Sequence, residues 1–341
     1  MTVDATAILD RLLNRDNLTE NEAGDLMQLL TDEALPQAMS GALLIALRAK
    51  SETAEEVRGF AKAMRKLARK TRIPTGIVAA DIVGTGGDGS GSLNISTGTA
   101  LLAAGCGVPI VKHGNRSVSS KSGSADVLEA MGVPLPADPA TAMKCLSECG
   151  FAFLFAPFFH PAMKAIAPVR GAMGVRTVFN ILGPLTNPAA PPFNLIGAFD
   201  LSTARLMAET LMGMDMERAF VVHGEPGWDE ATPVGCFTLF DVTPGQISES
   251  QRDPLDYGIP RCTPDDLVGG DAALNAKALE AVLSGTDTGP HREALVLGAG
   301  LVLELTGNVK GLEDGIARAY SAIDSGVAAM VLQQLRDFGS R

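Results

Sequence analysis

Residues 81–98, DIVGTGGDGSGSLNISTG, decide the fold: an apolar run breaks into a stretch holding six glycines, and STGTALLAAG (96–105) continues it with helical character. A strand that ends in a glycine loop and passes straight into a helix is the opening of a β/α unit. Short β-rich runs then alternate with helical ones along the chain. The candidate strands are ADIVG, VPIVKHG, FAFLFAP, FNLIGAFD, AFVVHG and CFTLFDV, with SGSADVLEAMG, DPATAMKCLSECG and LSTARLMAETLMG among the helices between them. Such alternation predicts a mainly parallel sheet covered by helices. From GDAALNAKALEAVLSG to VAAMVLQQLRDFG the pattern is helical again, and these helices should pack on the sheet.

Upstream, the first 70 or so residues read as helices only. Thr19-x-x-Glu22 and Thr53-x-x-Glu56 fit capping boxes ahead of apolar periodicity, and TRIPTG (71–76) reads as a linker. The segment 159–188, FHPAMKAIAPVRGAMGVRTVFNILGPLTNP with its flanks, interrupts the β/α rhythm with a proline-punctuated helical stretch. A crossing back to the N-terminal helices would make the helical domain discontinuous. The expected division is residues 1–72 with about 166–190 as a small helical domain, and 77–165 with 191–341 as the α/β domain. A cleft between the two is the expected ligand site.

Composition narrows the partners. A net charge of -11 argues against nucleic acid as a bulk partner, though not against a small phosphorylated ligand in a local basic pocket. No apolar run is long enough to span a membrane, and the N-terminus lacks the basic and apolar regions of a signal peptide. A soluble, cytoplasmic protein is expected. The five cysteines include no CxxC, which fits small buried residues in a reducing compartment rather than a metal site.

Gly84-x-Gly86-x-x-Gly89 matches the dinucleotide fingerprint, but the next strand ends in Lys112 and His113 where that motif requires an acid for the ribose. Ser90 after Gly89 excludes the P-loop lysine. A cradle for phosphate remains, built from backbone N–H groups and a helix N-terminus. Asp88 inside it would repel bare pyrophosphate and suits a sugar hydroxyl or a hydrated metal. A second polar loop, KHGNRSVSSKSGSADVLEAMG, carries Lys112, Arg116 and Lys121 with five serines between 117 and 124. Two adjacent strands thus deliver phosphate-competent loops to one sheet edge.

With these strings in view the sequence resembles the anthranilate phosphoribosyltransferases. GTGGDGSGSLNISTG, VKHGNRSVSSKSGSADVLEAMG, HPAMKAIAPVRGAMGVRTVFNILGPLTNPA and HGEPGWDEAT look like that family's motifs, in its order. The resemblance implies the nucleoside phosphorylase/class II phosphoribosyltransferase fold, and a homodimer joined through the helical domains. It also implies attack of the amine of anthranilate on C1 of 5-phosphoribosyl 1-diphosphate, with loss of diphosphate, on the route to tryptophan. By the same resemblance Gly84, Gly87, Asp88, Ser92, Asn94, Ile95, Ser96 and Thr97 line the diphosphoribosyl site. Lys112, His113, Gly114, Asn115, Arg116, Ser117, Val118, Ser119, Ser120 and Ser124 hold its other side. Asp229 and Glu230 of WDE, with Ser96, would ligate Mg²⁺, while Trp228 departs from the aliphatic residue expected beside them.

Arg170 matches the anthranilate-binding arginine, and Asn115 and the Gly84 backbone complete that pocket. Arg176 is read as structural. His113 stands as a wall of the pocket or, alternatively, as a proton acceptor, since an aryl amine needs no general base to present its lone pair. Two competing readings remain: a nucleoside phosphorylase on the same fold, which needs no Mg²⁺, and a non-catalytic nucleic-acid-binding paralogue, against which the acidic balance and WDE argue.

Overall fold

The computed structural model describes residues 4–117 and 121–340. Four helices open the chain: α1 (Ala5–Leu13), α2 (Glu20–Leu30), α3 (Gln37–Lys50) and α4 (Ala54–Leu67). Both capping boxes form, with Thr19 and Glu22 starting α2 and Thr53 and Glu56 starting α4. Glu56 is fully buried, and its carboxylate also accepts from Leu18 N and Lys50 Nζ, each at 2.8 Å. One charged side chain thereby caps a helix and ties down the loop before α2 and the end of α3, which is how its burial is compensated.

The sheet contains seven strands: β1 (Ala80–Gly84), β2 (Ile110–Gly114), β3 (Phe151–Phe155), β4 (Phe193–Gly197), β5 (Arg218–Gly224), β6 (Phe237–Thr243) and β7 (Gln246–Arg252). Their order is β3-β2-β1-β4-β5-β6-β7, parallel from β3 to β5 and antiparallel beyond. The mainly parallel sheet expected from the sequence is present, but CFTLFDV runs antiparallel and pairs with a strand the apolar pattern did not reveal. That strand, QISESQR, is an exposed edge, where polar side chains block further pairing.

Successive strand residues face opposite cores. On one face Ile82, Phe153, Leu195, Phe220 and Leu239 pack beneath the C-terminal helices. On the other, Ile196, Val221 and Phe240 join the helices of α1–α4 and the helix Leu201–Met212. Burial on both faces explains why the strands read as continuous apolar runs. Ile166, Val169, Phe179 and Leu182 of the proline-punctuated segment share that second core, and the helix Met163–Met173 lies against α3. The helix Ile95–Gly105 behind the glycine loop packs closely on Pro290–Leu305: a Cβ at Gly98 would sit 2.6 Å from Leu295, and one at Gly298 2.5 Å from Thr99. Among the described residues no helix is long and apolar enough to cross a membrane.

Candidate active site

After β1 the chain builds outward through β2 and β3, and with β4 and β5 it builds the other way. Ligands in such sheets bind at that reversal, beyond the C-terminal strand ends. There the ends are glycines. Gly84 and Gly197 are in register, and Gly224 closes β5. A Cβ at Gly84 would lie 2.3 Å from Asp229 Oδ2, one at Gly197 1.5 Å from Asp229 O, and one at Gly224 2.1 Å from Glu230 O. The WDE segment is therefore laid directly across the bare strand ends. Trp228 and Gly224 exchange two backbone hydrogen bonds of 2.9 Å, and the Trp228 side chain is buried in the core below.

This seating carries two acids onto the glycine loop. Asp229 Oδ2 accepts from Gly86 N at 2.6 Å across 143 residues, and Glu230 Oε1 accepts from Ser96 N at 3.1 Å. Asp88 joins them, its Oδ2 accepting from Asp229 N at 3.4 Å while Oδ1 is held by Ser90. Burial and the Asp88 charge push Asp229 up to about 7, and burial with Asp229 pushes Glu230 well above the usual carboxylate range. Lys112 lies beneath, buried, with Nζ donating to Ile82 O and, at 3.3 Å, to Ser96 Oγ. Its burial lowers the lysine pKa, opposed by Asp81, Glu230 and Asp229. Lys112 thus acts here as a countercharge under the acids rather than as a cation at the surface of the second loop.

Gly86, Gly87, Gly89 and Gly91 all have positive φ, which gives the loop a curvature that other residues resist. Its far end is pinned by Leu93 N to Leu267 O and Gly269 N to Gly91 O, both 2.9 Å, with Ser92 bridging Val268. Asn94 precedes the helix and links three segments, donating to Ser122 O at 3.1 Å and accepting from Asn275 at 2.9 Å. Ile95 is buried in the core, and Thr97 is buried with its hydroxyl unpartnered.

In the second loop a Cβ at Gly114 would sit 2.3 Å from Ser124 Oγ, which itself donates to Asn115 O at 3.2 Å. Arg116 is exposed and paired with Asp126 and Glu129, and Ser117 N donates to Asp126 Oδ2 at 3.0 Å. Val118, Ser119 and Ser120 lie outside the described residues. His113 is buried, with its N–H on Asp81 Oδ1 at 3.1 Å and its Nδ1 3.2 Å from Gly183 O. Burial and the neighbouring His160, with ring centroids 5.1 Å apart, push His113 down to about 3.

Arg170 is half-buried on the last turn of Met163–Met173, over the Phe179 ring at 5.0 Å. Burial lowers its pKa, and no carboxylate pairs with it among the described residues. Two residues with structural reach went unnoticed in the sequence, and a third, Arg176, reads there as structural but without its partner. Asp81 and Asn187 form a buried pin, Asn187 Nδ2 donating to Asp81 Oδ2 at 2.9 Å and to Val111 O at 2.8 Å. The signal was an acid inside an apolar strand. Arg176 donates to Gly87 O, a contact that nothing in its local sequence announces.

Comparison with known proteins agrees with this geometry. Residues 77–329 match the α/β domain of a glycosyl transferase family, and residues 6–68 match its helical bundle domain. An anthranilate phosphoribosyltransferase of Rubrobacter xylanophilus is 44% identical over 93% of this chain and 92% of its own. That of Desulforudis audaxviator is 45% identical over 98% and 96%. The Thermus thermophilus enzyme's structure superposes with a TM-score of 0.92 at 39% identity, covering 98% of this chain and 99% of that one. The Saccharomyces cerevisiae enzyme, solved with PRPP and Mg, gives 0.89 at 27%, covering 98% of each. With the fold, the strand-end loops and the near-complete coverage in agreement, the chain belongs to the anthranilate phosphoribosyltransferase family.

Proposed function

We propose that this chain transfers the phosphoribosyl group of 5-phosphoribosyl 1-diphosphate to the amine of anthranilate, giving N-(5-phosphoribosyl)anthranilate and diphosphate in tryptophan biosynthesis. The observation that carries this is the seating of Asp229 and Glu230, through bare glycines, against the loop that follows β1.

The site fits Mg²⁺. Asp88, Asp229 and Glu230 crowd like charges into a spot where burial already raises two of them, and a hard cation relieves both costs. Asp229, Glu230 and the Ser96 hydroxyl would hold it. Mg²⁺ ordinarily completes its shell with substrate oxygens and water, so a few protein ligands suffice. When bound, the ion supplies charge neutralisation to the leaving diphosphate.

The protein's own groups do the rest. The amine lone pair forms the new bond to C1 as the C1–O bond breaks, and its electron pair departs with diphosphate. The N–H groups of Gly87, Asp88, Gly89 and Gly91 would face the charge that grows there, beside the helix start, while those of Gly86 and Ser96 hold Asp229 and Glu230 in place. Lys112 stabilises the acids from below, and His113 to Ser117 with Ser124 would hold the other side of the phosphoribosyl substrate. Arg170, half-buried and without an acidic partner among the described residues, suits the anthranilate carboxylate, and by the resemblance Asn115 completes that pocket. A His113 held near 3 is neutral and a weak base at pH 7, which supports its role as a wall, with the amine proton passing to solvent.

The helical domain comprising 1–72 and about 166–190 would carry a homodimer contact, for which Leu13 and Ile45 offer exposed apolar surface. The cytoplasm is the expected compartment. Purified protein with anthranilate, phosphoribosyl diphosphate and Mg²⁺ should quench anthranilate fluorescence, and EDTA should stop the reaction. No turnover, or turnover indifferent to EDTA, refutes the proposal.

A further inference from the structure

Arg176 belongs to the strap between Met163–Met173 and Phe179, and its contacts exceed what a solvated arginine would make. Its guanidinium donates to Gly87 O and lies 4.1 Å from the Phe199 ring centroid. Its own carbonyl accepts from Arg48 Nη1 of α3 at 2.7 Å. Phe199 N in turn donates to Thr85 Oγ1 at 3.1 Å, so ring and loop are one unit. A Cβ at Gly87 would come 3.1 Å from the Arg176 Nη2, an approach that glycine leaves open. Among the described residues no carboxylate pairs with Arg176, so an ion pair does not explain its placement.

We infer that Arg176 is a positioning residue that fixes the direction of the Gly87–Asp88 peptide in the diphosphate loop. In a trans peptide the C=O and the following N–H point opposite ways. Holding Gly87 O on the arginine therefore turns Asp88 N–H away from Arg176, as a donor. Gly86, Gly87 and Gly89 resist a reversal of that peptide only weakly, because both signs of φ are open to them. A reversed peptide would present a carbonyl oxygen to an anion. Stacking on Phe199 and the Arg48 contact hold the arginine in place, which connects α3 to the loop. The inference rests on the reading that this loop binds the diphosphate.

The test uses the full-length protein as wild type, Arg176→Gln and Arg176→Lys. Hydrogen exchange over residues 84–92 is measured with and without Mg²⁺ and inorganic pyrophosphate, alongside KM for both substrates. Wild type should show protection by pyrophosphate. Arg176→Gln should lose most of it and raise KM for phosphoribosyl diphosphate roughly tenfold, the low end for a charge-assisted hydrogen bond, with KM for anthranilate little changed. Arg176→Lys keeps a donor but not the planar stack and should fall between, and it carries the test if the glutamine variant does not fold. An unprotected loop in wild type would overturn the diphosphate reading and this inference with it. Wild-type protection retained by Arg176→Gln, or equal KM changes for both substrates, would overturn the role of Arg176 alone.

Discussion

Replacing Asp229 by Asn should stabilise the metal-free protein while removing its activity. The carboxyl is buried and pushed up to about 7 from the ordinary 3.8, because burial and Asp88 both disfavour its charge. Below pH 3.8 folded and unfolded chains are both protonated there and the group has no effect. Between that pH and about 7 the unfolded chain ionises first, so stability falls as pH rises, and above about 7 the cost is complete. Raising the carboxyl from 3.8 to about 7 amounts to about 4 kcal/mol, of which Asn should recover on the order of 2–4 kcal/mol. Its Oδ1 can still accept from Gly86 N, and its amide can donate to Asp88. Urea unfolding in EDTA at pH 8 and pH 5 is the assay: the gain at pH 5 should be less than half that at pH 8. Saturating Mg²⁺ should close the gap by stabilising wild type alone. An Asn variant no more stable than wild type at pH 8, or with the same gain at both pH values, would refute the electrostatic account of the site.

Arg170→Ala should raise KM for anthranilate roughly 10-fold or more, as for loss of a charge-assisted pair, and leave KM for phosphoribosyl diphosphate nearly constant. His113→Ala should lose well under the roughly 10²–10⁴-fold that removal of a general base costs, and its pH–rate profile should keep the wild-type shape near neutrality. Lys112→Met, which strips the countercharge from Asp81, Asp229 and Glu230, should destabilise by about 3–5 kcal/mol, read as a lowered urea midpoint.

The parallel strands were legible because each is largely buried on both faces and so reads as a mostly apolar run, from ADIVG to AFVVHG, with Asp81 the exception in the first. The capping boxes were legible because Thr19 with Glu22 and Thr53 with Glu56 are local patterns, complete within four residues. β7 was not, since an exposed edge requires no apolar residues, and QISESQR carries its strand only through pairing with β6. The position of the two glycine- and serine-rich loops at the ends of β1 and β2 could be read from their spacing. That Lys112 turns under the loop could not, because the direction of a side chain at a strand end depends on what packs above it. Arg176 and Asn187 act across long sequence separations, through contacts to a backbone carbonyl and a buried acid that no local pattern encodes.

The bare strand ends also shape which substitutions this site can absorb. Asp229 and Glu230 are registered by the sheet backbone, and Trp228 before them fills a core position while its backbone pairs with Gly224. A bulky aromatic there, in place of the aliphatic residue expected from the resemblance, leaves the acids where the strands put them. The tolerance reverses at Gly84, Gly197 and Gly224. A single methyl at any of them overlaps the acid segment, which must then shift although no functional group has been altered. Variation in this family should therefore be permissive at residues that look chemical, such as the tryptophan, and forbidding at three that carry no side chain at all.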